Sequence, residues 1–385
     1  MARRVHLTGS ASKECDIGLL RWAREALRYF LRDHLRQGGS LIGQLGGEPY
    51  HPANQTLPLT FDWLIVEAAL EALRAGEAAP AAEDPLVQLR GSQRGAKQIP
   101  DKRRPLFDEL LKREAVEVKL LPDTWRSGAL IRQAQARIGD VLLTASGGAG
   151  AEHLADLYAQ RGRPVVPWSI DLGSSGNDGA VGGGLGLARK ALAESSGFFR
   201  LASGGGGEAR LLALVVEPEQ LGPVQNAGMA LADLISDLEL PRAFCIRLLN
   251  PDVKNYLEVE GHFREVVVPV LEDLHYRVID LGTARQEAAW MNAEIFEQLD
   301  RAALVYCDLT GQRSNCFTEL GYALGNRQRV IISAHEGEGM PFDTDKLPCR
   351  FWSATETVDH RRERLREHID RFGTLPPIVA AASIL

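Results

Sequence analysis

Three polar residues in the stretch Leu304–Gly325 have the types and spacing to handle a charged sugar: Asp308, Asn315 and Glu319. Asp308 closes an apolar run, Leu304 to Cys307, that predicts a buried strand, and a polar loop then leads to a helix beginning near Asn315. At 100° per residue, Phe317, Leu320, Gly321 and Leu324 share one face of that helix, while Glu319 projects from the opposite side. An acid close to a helix N-terminus is favoured in its ionised form by about 0.3–1 kcal/mol when exposed. That suits a carboxylate that attacks, or faces, a cationic sugar carbon. The same residues also fit a purely structural reading. Asp308 then caps a turn, Asn315 is the helix N-cap and Glu319 is a solvated first-turn acid.

A second constellation lies earlier in the chain. The strand-like run Asp140–Thr144 passes through Ser146-Gly147-Gly148-Ala149-Gly150 into a helix that carries Glu152 and His153. Glycines at such a turn let the backbone approach a ligand, and the first N–H groups of the helix favour a phosphate. Gly9-Ser10 after the first strand and Gly173-Ser174 after the strand Pro164–Pro167 lie at the same expected sheet edge. Gly9, Ser10, Gly147, Gly148, Gly150, Glu152, Gly173 and Ser174 are therefore the candidate ligand contacts of this region. None of the serines sits in a GxSxG turn, and the nine histidines form no HExxH pair, so neither a serine nucleophile nor a metal is predicted.

The surrounding elements have to present these groups. A strand at Arg4–Thr8, a helix at Ile17–Arg36 closed by Gly38-Gly39, a strand at Ser40–Gln44 and a helix at Phe61–Arg74 alternate in the manner of a helix-covered parallel sheet. Residues 75–104, rich in Ala, Pro and basic side chains, read as a solvated loop or as a loop folding over an anionic ligand. Ser203 followed by four glycines marks a linker, and a connecting helix follows at Val224–Leu238. Strands at Phe244–Leu248, Arg277–Leu281, Ala303–Cys307 and Arg329–Ser333 then alternate with helices near 258–274, 292–301 and 316–325. The fold class is α/β, with two units, each a mostly parallel sheet flanked by helices. The boundaries fall at 1–200, 201–242 and 243–385.

Composition narrows the partners. Of 385 residues, 45% are hydrophobic and 25% charged, which is a globular profile. With 51 acidic against 44 basic side chains the net charge is -7, which disfavours binding to duplex DNA by counterion release. No apolar run approaches a membrane span, and no apolar segment follows Arg3-Arg4. Five scattered cysteines form no CxxC pair, so a reducing cytoplasm is the expected location.

Residues 1–200 resemble the SLOG superfamily, Rossmann-like relatives of the LOG phosphoribohydrolases, through Gly147-Gly148-Ala149-Gly150-Ala151-Glu152-His153-Leu154-Ala155 and Arg163-Pro164-Val165-Val166-Pro167. Ser146 replaces the Pro of the LOG pattern, Ala151 its Thr, and Leu154 occupies the place of its catalytic Glu. The resemblance thus implies a sensor for a nucleotide-derived signal, such as a cyclic oligonucleotide or an ADP-ribose derivative. Residues 243–352 resemble the TIR-like and nucleoside 2-deoxyribosyltransferase-like group, also Rossmann-like, through Asp308-Leu309-Thr310, Asn315, Glu319-Leu320-Gly321, Ala323 and Pro341-Phe342-Asp343. That similarity implies Glu319 as the catalytic carboxylate of N-glycosidic cleavage, with Asp308 and Asn315 on ribose hydroxyls and Arg247 or Asn250 bordering the pocket. Together the two resemblances look like an antiphage effector: a signal-activated NAD hydrolase releasing nicotinamide, with NAD as substrate, no further cofactor, and homo-oligomerisation on activation. A nucleoside or nucleotide N-glycosidase, a deoxyribosyltransferase and a non-catalytic pair of nucleotide-binding modules remain as alternatives.

Overall fold

A computed structural model describes residues 3–80, 85–173, 183–280, 291–326, 328–339 and 347–372. The chain divides into two compact units, residues 1–159 with 163–239 and residues 160–162 with 240–385. In the first, β1 (Arg4–Ser10), α1 (Ile17–Arg36), β2 (Ser40–Leu45), the hairpin β3 (Tyr50–His51) and β4 (Asn54–Pro58), α2 (Asp62–Arg74), β5 (Val87–Ser92), α3 (Gln93–Lys97) and α4 (Arg104–Lys112) come first. Then follow β6 (Val116–Leu121), α5 (Ser127–Ile138), β7 (Val141–Ser146), α6 (Ala149–Ala159), β8 (Val165–Trp168), α7 (Gly183–Ala193), α8 (Gly207–Leu212) and α9 (Val224–Ser236). The second unit runs β9 (Arg242–Ile246), α10 (Tyr256–His262), α11 (Val268–Asp273), β10 (Arg277–Ile279), α12 (Met291–Asp300), β11 (Leu304–Asp308), α13 (Ser314–Gly325), β12 (Val330–His335), β13 (Cys349–Trp352) and α14 (Val358–Phe372).

Each unit is built on one all-parallel sheet, in the order β6-β5-β2-β1-β7-β8 and β10-β9-β11-β12-β13. Parallel strands covered on both faces need continuous apolar runs, and β7 is buried at every residue. Phe30, Trp63, Leu143 and Leu231 pack in the core on one face of the first sheet, while Leu142, Leu154 and Tyr158 pack on the other. In both sheets the chain starts at an inner strand, moves outward to one side, then returns to the other. The direction reverses between β1 and β7, and again between β9 and β11. Crevices outside the carboxyl ends of such paired strands are where open α/β sheets bind ligands.

Residues 201–239, read from sequence as linker and connecting helix, fold onto the first unit, where Leu211, Leu231, Leu234 and Ile235 of α8 and α9 are buried in its core. The expected loop over 75–104 is also corrected. Val87–Ser92 is a fully buried strand, and it was hidden by its polar residues. Arg90 is 3% exposed and donates to Gln88 Oε1 at 3.2 Å, with Glu117 3.1 Å away. Arg103 is buried as well. Its Nε and Nη2 donate to the two carboxylate oxygens of Glu48 at 2.8 and 2.7 Å, and Nη1 bonds Glu67. Two residues of the basic run, Arg90 and Arg103, thus pin the segment to the core, while Arg94, Lys97, Lys102 and Arg104 stay exposed.

Glu48 has a fully buried side chain, so Arg103→Ala strands an uncompensated charge. The expected cost is about 3–5 kcal/mol of stability, measurable by urea unfolding of the full chain.

Candidate functional site

The second unit holds a cavity of about 420 Å³ at the β9–β11 switch point. The ends of β9 and its following loop supply Phe244, Ile246, Arg247 and Asn250, and the start of α13 supplies Arg313, Asn315, Cys316 and Glu319. Asn315 and Glu319 lie one turn apart and face the same space. Glu319 is half-buried and has no hydrogen-bond or ion-pair partner among the described residues. Burial alone pushes its carboxyl up to about 7. The sequence reading expected the helix dipole to hold it ionised. In fact α13 starts at Ser314 behind an N-cap at Arg313, which puts Glu319 beyond the first turn, where the dipole fades. A desolvated carboxyl facing a cavity without a partner is the pattern of a functional acid.

Asp308 sits elsewhere. Alternate residues of a strand face opposite sides of its sheet. Leu304 and Tyr306 pack with Phe263 and Val266, whereas Val305 and Cys307 pack with Cys316 and Leu320 beneath α13. Asp308 shares the parity of Tyr306, so it points away from α13. Its Oδ2 accepts from Trp352 Nε1 at 2.8 Å and Ser333 Oγ at 2.9 Å, and its Oδ1 from Thr310 N–H at 2.9 Å. At 1% exposure it does not line the cavity. Read from sequence as a holder of ribose hydroxyls, it is instead the anchor of β11, β12, β13 and the loop into α13. Thr310 extends the anchor, its Oγ1 accepting the His335 N–H at 2.8 Å. Trp352 stacks on His262 with ring centroids 4.1 Å apart, a core role. Trp290 and Pro341-Phe342-Asp343 lie outside the described residues.

Arg247 and Asn250 border the cavity. Arg247 is held by Glu260 at 2.6 Å and Asp280 at 3.0 Å over the ring of Phe263, and its buried Nε has no acceptor among the described residues. Sequence reasoning missed Arg313 and Cys316 as lining residues. Arg313 was hidden by placing the helix start at Asn315.

In the first unit the predicted glycines do converge, at the β1–β7 switch point. A Cβ on Gly9 would stand 2.0 Å from Ala145 O, and one on Gly147 would be 3.2 Å from Gly9 Cα and 3.5 Å from Ser10 N. Gly148 and Gly150 lie at the start of α6, and Gly173 packs against Ser12. The N-terminus of α7 seats on the same turn. Gly184 N–H donates to Gly147 O at 2.8 Å, and a Cβ on Gly183 would meet that oxygen at 2.0 Å. Glu152, proposed as a ligand contact, accepts the Gly183 N–H at 2.7 Å and so fastens α7. His153 Nδ1 accepts from Arg132 Nε at 2.9 Å, which sets a cation beside the N-terminal turn of α6. Arg132, on α5, gave no sequence signal. Ser174 lies outside the described residues.

Among the described residues no cluster of His, Cys, Asp or Glu is arranged to hold a metal ion, and no helix is long and apolar enough to cross a membrane. Two doubly wound α/β units, with a glycine-lined switch point in one and a carboxyl-bearing cavity in the other, place the chain in the α/β class whose ligand edges lie at such switch points. The family follows from comparison with known proteins. Residues 1–220 match the family model described as "ATP nucleosidase Cap17-like, N-terminal", more than half of the chain, which belongs to that family. Two relatives, each named ATP nucleosidase Cap17, one from Escherichia coli strain KTE188 and one from Escherichia coli, are 28% identical over 195 residues. The alignment covers 51% of this chain and 37% of each relative, so the chain spans little more than a third of their length.

Removing the carboxylate of Asp308 takes the acceptor from the buried Trp352 and Thr310 N–H groups and from the Tyr306–Ser333 hydroxyl pair. Asp308→Ala is expected to cost about 3 kcal/mol or more, read as a lowered denaturation midpoint, with Asp308→Asn recovering part of the loss.

Proposed function

We propose that the chain is an N-glycosidic-bond hydrolase whose second unit cleaves a ribosyl bond with Glu319, under the control of a nucleotide-derived ligand held by the first unit. The observation that carries this reading is the unpartnered, half-buried carboxyl of Glu319 facing a cavity at a switch point. A partly desolvated carboxyl of that kind stabilises positive charge developing on an anomeric carbon more than water would. In NAD the leaving nicotinamide departs neutral from a cationic ring, so one carboxylate suffices and no general acid is needed. A cationic substrate also draws the carboxyl toward its ionised form. Asn315 hydrogen-bonds the sugar from one turn below, and Arg313 at the mouth attracts the phosphates.

Support from the relatives is of a particular kind. Their name describes nucleosidase chemistry on ATP, and the family model of the same name matches residues 1–220, ahead of Glu319. The part matched by the family model is the glycine-lined unit, the proposed signal binder. Coupling requires that the signal bind better to the state in which Glu319 meets its substrate. A second reading, adenine release from ATP or another nucleotide, is favoured by the relatives' name. Defence against phage is the setting that this architecture suggests.

The deciding experiment incubates the purified chain with NAD, ATP, nucleoside monophosphates or deoxynucleosides, with and without cyclic oligonucleotides and ADP-ribose derivatives, and separates the released bases. Nicotinamide release supports the first reading and adenine release from ATP the second. Cleavage of none favours a binding module. Glu319→Gln is expected to lower turnover about a hundredfold or more, and retention of full turnover removes Glu319 from the mechanism. Because the ionised form is the active one, kcat/KM is expected to rise with pH through about 7 and level off above it. The linkage has the opposite sign for stability. A carboxyl whose folded pKa is raised favours folding at low pH and loses that contribution as pH climbs from its unfolded value through about 7. Glu319→Gln should therefore melt higher than the parent at pH 8.

A further inference from the structure

The outer strand of the first sheet, β6, pairs through β5 alone. One bond fixes which of its groups are free. Val87 N–H donates to Ala115 O at 3.1 Å, so in this parallel ladder residues 115, 117, 119 and 121 turn their backbone toward β5. Val116, Val118 and Leu120 turn theirs outward, and among the described residues no backbone group meets them. Natural edges of this kind carry charges, a proline, a bulge or a cover, and the charges on this one, Glu117 and Lys119, are of opposite sign. Val116–Leu121 has no proline and pairs with β5 without a break in register. Beside it Leu111 is 45%, Leu120 44% and Trp125 86% exposed.

We infer that this edge docks a second copy of the chain, strand against strand and antiparallel, about a two-fold axis through Val118. The sequence of the strand selects that register. With the axis at Val118, Val118 faces itself and Val116 faces Leu120 of the other copy, so every outward N–H and C=O finds a partner. Glu117 then falls opposite Lys119, twice, at the non-hydrogen-bonded positions where cross-strand side chains approach most closely. Shifting the axis to Val116 sets Lys119 against Arg113, and shifting it to Leu120 sets Glu117 against Asp123 and Val118 against Pro122, which has no N–H. Both shifts oppose like charges. Glu117 also pairs with Arg90 at 3.1 Å, but its side chain is 47% exposed and has room for a second cation. The contact is short, so the dimer is weak and dependent on concentration. This inference holds whichever reaction the second unit performs.

Sedimentation velocity of the full chain across a hundredfold range of concentration tests it. A monomer–dimer equilibrium is expected. Lys119→Glu should weaken it about tenfold or more, because two attractive cross-strand pairs become repulsive. The exchange Glu117→Lys with Lys119→Glu should restore it, since the charges meet again in reverse order. Should that exchange unfold the chain by removing the partner of Arg90, a cysteine pair still decides. Val118→Cys is expected to oxidise to a covalent dimer. Leu120→Cys is not, because four residues then separate the two thiols' backbones by about 13 Å, beyond the reach of a disulfide. Four native thiols are buried, and Cys349, half-buried, is replaced by serine in both cysteine variants so that it does not compete. A chain that stays monomeric, a dimer indifferent to Lys119→Glu, or cross-linking at 120 but not at 118 overturns the proposal.

Discussion

Four donors, from β11, β12, β13 and the loop after β11, converge on the carboxylate of Asp308, and the second unit's cavity depends on that convergence. A buried carboxylate is tolerated only when its lone pairs are taken up. Trp352, Ser333 and the Thr310 N–H take them, and in doing so they tie β13, β12 and the loop after β11 to one point. From that point the chain turns through Gly311 into α13, so the placing of Asn315 and Glu319 follows from an acid that never touches the cavity they face. Nearby sits the second acid, Glu319, with no such shell, and its carboxyl is correspondingly hard to ionise. One acid with its lone pairs taken up builds the edge, and one acid without a partner among the described residues faces the cavity beside it.

Much of this was legible in the sequence. The helix α1 runs over Ile17–Arg36 as its apolar spacing predicts, with Asp16 Oδ1 accepting the Leu19 N–H at 2.7 Å to start it. The strands carrying the two sites were visible as apolar runs, and the glycine turns at β1 and β7 met as their positions suggested. What stayed hidden shares a cause. The buried strand β5 carries Gln88 and Arg90, whose partners come from itself and from the neighbouring strand, and no local pattern announces such a match. The helix start at Ser314 was masked because its N-cap, Arg313, makes no side-chain cap bond. The direction of Asp308 depends on which side of β11 α13 packs, and only the assembled sheet decides that. The ionisation of Glu319 likewise depends on how much protein surrounds it, a quantity that spacing alone does not carry.

The division between the units gives the family relationship its meaning. The matched residues end at 220, within the first unit, and contain the glycine edge, the Glu152–Gly183 fastening and Arg132 beside α6. The cavity with Glu319 lies wholly in the other unit. Fold and site are separable in this way because an α/β sheet fixes where a ligand edge lies and leaves its side chains open to change.

The tryptophan that closes the shell of Asp308 lies on β13, the last strand of its sheet in chain order. During synthesis the first unit emerges complete while this closing residue is still inside the ribosome, since domains fold in order of appearance. Until Trp352 arrives, the polypeptide ahead of α13 lacks its fixed point. A nascent chain therefore holds a folded first unit well before the turn into α13, and with it the cavity-facing carboxyl of Glu319, gains its fixed point.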